Sequence, residues 1–154
     1  MKREQLELRL VEGTDKRFQA LVRELDREFA VRFGDSVLKY QPYNDALVYE
    51  QACLFIRGGQ AVACGAIHRL DEERAELKRI YVRPDCRRRG YAKELIEQLE
   101  LQALFGGYHT MVLTTGRRMP EAQALYKKLG YQLCQPWGPF VGDQGTVCME
   151  KVLE

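Results

Sequence analysis

The chain has 154 residues, with 24 lysines and arginines against 22 aspartates and glutamates and a formal net charge of +2. That length suits a single domain, 1–154, around one core, and the near-neutral balance argues against a nucleic-acid binder, which carries a basic stripe. No apolar run approaches the roughly 20 residues of a membrane helix, so neither nucleic acid nor membrane is expected as a partner. The opening "MKREQLELRL" lacks the apolar centre of a signal peptide, which points to a cytoplasmic protein. The five cysteines, Cys53, Cys64, Cys86, Cys134 and Cys148, include no C-x-x-C pair, so neither a zinc site nor a disulfide framework is expected. They read as reduced packing residues. His68 and His109 lie far apart in strand-like runs and read as structural rather than as metal ligands.

In chain order, "LELRLV" alternates apolar and charged residues as a half-buried strand does. Gly13 breaks it, and Thr14 is placed to cap a helix. In that helix Phe18, Leu21, Val22, Leu25 and Phe29 form one apolar stripe, and Gly34 ends it. "DSVLKYQPYNDALVYE" reads as irregular. "ACLFIRGGQAVACGAIHRL" is two strands joined by the hairpin signal Gly58-Gly59. "DEER" is a charged turn, and "AELKRIYV" makes a third strand of an antiparallel meander. By two-residue periodicity Glu76, Lys78, Ile80 and Val82 share a face.

From Arg89 the period becomes helical, with Ala92, Leu95, Ile96, Leu99 and Ala103 on one face until Gly106-Gly107. "HTMVLTT" is a strand, parallel to "AELKRIYV" because a crossover helix joins the two. Pro120 opens another helix, which Gly130 ends. "YQLC" and "GTVCMEKVL" are closing strands on either side of the loop "QPWGPFVGDQ". The order is a mixed α/β (α+β) domain.

The stretch "CRRRGYA" stacks Arg87, Arg88 and Arg89 where a strand turns into a helix. A helix start already carries partial positive charge on its free N–H groups. Further cations there are unfavourable unless an anion sits on them, and strand, glycine turn and helix together make an anion cradle. Gly90 lets the backbone approach the ligand, and Ala92 is small. The spacing matches neither G-x-x-x-x-G-K-[ST] nor G-x-G-x-x-G. Taken alone, it is equally readable as a solvated charged bend.

"AELKRIYVRPDCRRRGYAKELI" followed by "LTTGRRMPEAQALYKKLGY" closely resembles the GNAT superfamily of acetyl-CoA-dependent N-acetyltransferases. The match runs from about Glu76 to Tyr131. Its signature Arg/Gln-x-x-Gly-x-Gly/Ala falls on Arg87, Gly90 and Ala92, and a second signature falls on Leu125, Tyr126, Leu129, Gly130 and Tyr131. The resemblance implies a largely antiparallel sheet of about seven strands, with a splayed strand pair holding CoA. The cofactor-binding residues it implies are Ile80, Tyr81 and Val82 for the pantetheine arm and Arg87, Arg88, Arg89, Gly90, Tyr91 and Ala92 for the diphosphate. The cosubstrate is acetyl-CoA, with no metal. The sequence departs from the pattern at Met119, where many members carry an asparagine that contacts the cofactor; Arg117 and Arg118 are the nearby polar alternatives.

Acyl transfer to an amine needs the amine deprotonated, the thioester oxygen stabilised and the thiolate protonated. An alkyl ammonium of pKa about 10.4 leaves only about one amine in a thousand neutral near pH 7. The resemblance makes Tyr126 the acid for the leaving sulfur, against a reading as a helix tyrosine packed on the core. It makes Glu76 the base, against a salt bridge to Lys78 or Arg74. The oxyanion donor would be a backbone N–H near Tyr81 or Val82. The acceptor is expected between the first-helix region, with Tyr40, Tyr43 and Tyr49, and the last loop, with Trp137 and Phe140. These aromatics read equally as a cage for a cation and as packing. The resemblance thus implies direct transfer of acetyl to a small-molecule or peptide amine, by a monomer or a homodimer. A catalytically weak CoA-binding sensor or partner-binding module is the alternative.

Overall fold

The computed structural model describes residues 5–45 and 47–154; the first four residues of "MKREQLELRL" lie outside them. Seven strands form one sheet: β1 (Leu6–Val11), β2 (Gln51–Arg57), β3 (Gln60–Arg69), β4 (Arg74–Val82), β5 (Thr110–Gly116), β6 (Gln132–Leu133) and β7 (Thr146–Val152). Their order is β1-β2-β3-β4-β5-β7-β6, antiparallel throughout except for the β4–β5 pair. The expected meander and the expected parallel crossover are both present.

Helix α1 (Lys16–Phe33) covers one face, burying Phe18, Leu21 and Leu25 against Ala52, Leu54, Ile56, Cys64 and Tyr81. Its cap is Asp15, not Thr14: the Asp15 carboxylate accepts from the N–H groups of Arg17 and Phe18. Both residue types suit a cap, and the one whose oxygen reaches two free amides takes the position. The stretch read as irregular is ordered as a 3-10 turn over Gly34–Lys39 and a short helix α2 (Gln41–Asp45). Its apolar residues are too few for a helical period to show, and Pro42 lies within the first turn, where a missing N–H costs nothing.

Helix α3 (Tyr91–Phe105) covers the other face with Leu95, Ile96, Leu99 and Ala103, and Tyr91 stacks on Phe55 at 4.1 Å. Gly65 admits this helix, since a Cβ there would fall 2.9 Å from Leu99 Cδ1 and 2.5 Å from Ile80 Cδ1. Helix α4 (Pro120–Lys128) follows β5, and β6 is only two residues long.

Two irregularities of β4 set the geometry at the centre of the sheet. First, β4 and β5 share three rungs, Arg74↔Thr110, Ala75↔Met111 and Glu76↔Val112, and then separate. β5 stays paired with β7 along its whole length, from Thr110↔Val152 to Gly116↔Thr146. Second, the β3–β4 register slips between Cys64↔Tyr81 and Ala66↔Lys78, where Arg79 takes the left-handed φ of 60°. This β-bulge overturns the shared face expected for Glu76, Lys78, Ile80 and Val82. Ala75 and Leu77 pack toward α3 before it and Ile80 and Val82 after it, while Tyr81 joins the α1 side. One extra residue inverts the alternation, so Glu76 and Lys78 lie on the face opposite Ile80 and Val82.

Candidate active site

The gap between β4 and β5 opens into a cleft of about 1260 Å³. Its walls are β4 from Leu77 to Val82, the end of β5 with α4, the last turns of α1, residues 34–45, and the turn that starts α3.

At the α3 end, Pro84–Cys86 forms one 3-10 turn, Arg88 has φ 65° and Gly90 φ 83°. Glu94 is the first residue of α3 whose N–H is taken by a backbone carbonyl, that of Gly90 at 3.1 Å. The amides just ahead of it are the free donors of a helix start, and the left-handed residues curl them into a concave nest. Arg87, Arg88, Gly90, Tyr91 and Ala92 line the cleft, as do Ile80, Tyr81 and Val82; Arg89 does not reach its wall. Arg87 already has partners. Its Nε donates to the Val82 carbonyl at 2.9 Å and its guanidinium reaches the Glu28 carboxylate of α1 at 2.7 Å. The geometry therefore offers an anion backbone amides first, with Arg88 as a cation of this turn that makes no ion pair among the described residues.

Tyr126 lines the cleft from α4, with its ring edge-on to Tyr131 at 5.9 Å. Burial pushes its phenol up to about 12, so it stays protonated across the physiological range. Tyr131 is anchored in turn, its hydroxyl donating to Glu100 at 2.8 Å.

At the other end, Tyr40 and Phe140 reach the cleft and lie face to face at 6.4 Å. Tyr43 and Trp137 do not reach its wall; both meet Phe140 edge-on, at 5.3 and 5.9 Å. Asp143 ties this end together, binding Lys39 Nζ at 2.5 Å, the Tyr40 hydroxyl at 2.8 Å, the Gly145 N–H at 3.1 Å and Thr146 Oγ1 at 2.8 Å. Tyr49 lies elsewhere, accepting from Arg79 Nε at 3.0 Å.

Glu76 is completely buried and does not line the cleft. Its Oε1 takes the Tyr43 hydroxyl at 2.6 Å and faces His68 Nε2 at 2.6 Å. Its Oε2 has no hydrogen-bond partner, and Lys78 Nζ stands 3.9 Å from it. Lys78 does line the cleft. Sequence reasoning gave His68, Lys78 and Arg79 no part in the site. A signal for His68 was present: counting outward from the "DEER" turn pairs it across the hairpin with Glu76, as the register has it. Nothing comparable marks Arg79, whose left-handed conformation is held by Asp26 at 2.8 Å and Tyr49, both distant in sequence.

The profile of the Acetyltransferase (GNAT) family matches residues 18–131. The chain belongs to the GNAT acetyltransferase family. A structure described as an acyl-CoA N-acyltransferase from Klebsiella pneumoniae is 30% identical, with 97% of this chain and 98% of that one covered and a TM-score of 0.78. The "IAA acetyltransferase" of Azospirillum brasilense is 36% identical over 63% of this chain and 64% of that protein, so the chain spans a little under two thirds of this relative. At 15% identity and a TM-score of 0.68, the PaiA N-acetyltransferase of Thermoplasma acidophilum, solved with coenzyme A, shares the fold. This GNAT chain has a cleft whose features suit a CoA thioester: an unpaired β4 edge, a curl of free amides, and Gly90, where an added Cβ would project into open space. Near Met119, Arg117 is bonded to the carbonyls of Gln144 and Thr146, whereas Arg118, with one side-chain bond to Ser36 at 3.3 Å, is the less engaged of the two arginines on the cleft wall. Among the described residues no cluster of three or more His, Cys, Asp or Glu could hold a metal ion, and no helix is long and apolar enough to cross a membrane.

Proposed function

We propose that the protein transfers the acetyl group of acetyl-CoA to the primary amine of a small-molecule or peptide acceptor, by direct attack while both substrates are bound. The observation that carries this reading is the parting of β4 from β5 after Glu76, which leaves the β4 edge unpaired along a cleft ending at the free amides of the Gly90 turn. An extended arm can pair with that edge as an added strand, and a diphosphate suits the amide nest. Acetyl-CoA supplies the activated acyl group and a thiol leaving group.

The chain's own residues supply the rest. Backbone N–H groups of β4 near Tyr81 and Val82 are the donors for the developing oxyanion. Tyr126 is the acid for the sulfur, its proton secure at neutral pH because burial disfavours the phenolate. Glu76 is the carboxylate toward which the acceptor's proton moves. Tyr40 and Phe140, both on the wall, are the acceptor-facing aromatics. Tyr43 and Trp137 support them from behind, since Tyr43 binds Glu76 and both rings brace Phe140.

The test is release of free thiol from acetyl-CoA across a panel of amino acids, polyamines, aminoglycosides and peptide N-termini. Acceptor-dependent release is expected. CoA binding without release for any amine would favour a sensor or partner-binding module of the same fold.

A further inference from the structure

We propose that Lys78 is the group that takes the proton from the acceptor's ammonium, with Glu76 and His68 behind it as the route by which that proton leaves. This rests on the acetyl-transfer reading of the cleft and adds a residue that reading does not require. Glu76 has no access to the cleft of its own. Among the residues of its cluster with Tyr43 and His68, Lys78 alone forms part of the wall. Lys78 is also the next residue of that strand face after Glu76, the last residue of β4 paired to β5, so it stands at the root of the splay. The unpaired β4 edge and the aromatic acceptor end of the cleft converge there.

The amino group is mostly enclosed, with 11% of its side chain exposed, and lies 5.3 Å from the centre of the Tyr43 ring. At 3.9 Å from Glu76 Oε2 it is too far for a hydrogen bond, and that oxygen is buried without any donor. A carboxylate oxygen left unbonded in a dry interior is costly. It is satisfied when a donor, a protonated Lys78 swung slightly inward or a bridging water, comes to it. Glu76 Oε1 is already occupied by Tyr43 and His68, so Oε2 is the open position of the cluster.

The groups acting on Lys78 are Glu76 and Arg79 on its own strand and Tyr43 on α2, while His68 on β3 and Cys148 on β7 face Glu76. Burial favours the neutral amine and Arg79 adds to it, while Glu76 opposes. The net effect holds Lys78 below the ordinary lysine value. A lowered value enlarges the share of neutral amine able to accept a proton from an acceptor ammonium.

The step balances. One proton passes from the acceptor's ammonium to Lys78 Nζ, and the freed lone pair attacks the thioester carbon. The C–S bond then breaks as the sulfur takes the Tyr126 proton. The second proton on the attacking nitrogen restores Tyr126, and the third remains on the amide. Lys78 returns its proton to solvent through Glu76 Oε2 and His68, whose side chain is 12% exposed.

The test compares Lys78→Met and Lys78→Arg with the wild type in thiol release from pH 6 to pH 10, alongside CoA titration and thermal melting. Both variants are expected to lose roughly 10²–10³-fold in kcat/KM near pH 7. The loss should shrink to within about tenfold near pH 10, where the acceptor deprotonates by itself. CoA affinity should be unchanged. Arginine keeps the charge and cannot serve as a base, so near-wild-type activity in Lys78→Arg would overturn the proposal in favour of a fixed-charge role. A loss of equal size at every pH in Lys78→Arg would also overturn it; that variant keeps the test open if Lys78→Met fails to fold. A wild-type protein that releases no thiol with any amine would refute the acetyl-transfer reading itself, before any variant is compared.

Discussion

Gly90→Ala separates the stability of the turn at Gly90 from the grip on a diphosphate proposed for it. Gly90 has φ 83°, and a Cβ built there meets no protein atom within 4 Å. The free protein therefore carries only the cost of holding an L-residue in the left-handed region, about 1–2 kcal/mol. For a chain of this size that lowers the melting temperature by roughly 2–8 °C. In the proposed complex the methyl group would occupy the space through which phosphate oxygens reach the α3 amides. Loss of one or two charge-assisted hydrogen bonds, at about 1.5–3 kcal/mol each, weakens CoA about 10- to 100-fold or more, since each 1.4 kcal/mol or so is a factor of ten. Calorimetric titration with CoA and with pantetheine, which lacks the diphosphate, reads the difference: CoA should weaken and pantetheine should not. A variant with a lowered melting temperature and unchanged CoA affinity would refute the assignment of the diphosphate to this turn.

Tyr126→Phe should lower kcat by about 10²-fold or more while calorimetry shows CoA affinity little changed; equal loss in both would make Tyr126 a packing residue. Because burial pushes the Tyr126 phenol up to about 12, the wild-type kcat profile should show no alkaline limb from this group below about pH 11. Asp143 is subject to burial, which raises its pKa, but Lys39, the Gly145 N–H, Tyr40 and Thr146 outweigh it and hold the carboxyl well below the usual range. A depressed folded value stabilises above the unfolded pKa of about 3.9 and is lost as pH falls below it. Asp143→Asn should therefore lower the urea midpoint most at neutral pH and flatten the acid arm below about pH 4, where the wild type loses the same contribution and the two profiles converge. Leu99→Ala, at a residue with 0% exposure between α3 and the sheet, should cost about 2–5 kcal/mol in denaturant unfolding, with CoA affinity retained in the folded fraction.

Much of this molecule is local and was therefore legible. The alternation of "LELRLV", the stripe through Phe18, Leu21 and Leu25, the Gly58-Gly59 hairpin and the strand–turn–helix around Arg87–Ala92 each follow from the preferences of neighbouring residues. The short helices over 34–45 were not legible, because they are stabilised from outside, by Asp143 at Tyr40 and Lys39 and by Glu76 at Tyr43.

The sequence by itself determined the β2–β3–β4 meander and its parallel crossover, the two helix faces and the strand–glycine turn–helix at Gly90, because periodicity and backbone freedom are written residue by residue. Only the tertiary structure decided which residues meet around Glu76 and Lys78. The bulge at Arg79, held by Asp26 and Tyr49, sends Glu76 and Lys78 to one face and Ile80 and Val82 to the other. The pairing of β3 with β4 sets His68 beside Glu76, and α2 brings Tyr43 onto the same carboxylate. Each of these depends on contacts between segments far apart in the chain, whose energies no local pattern records.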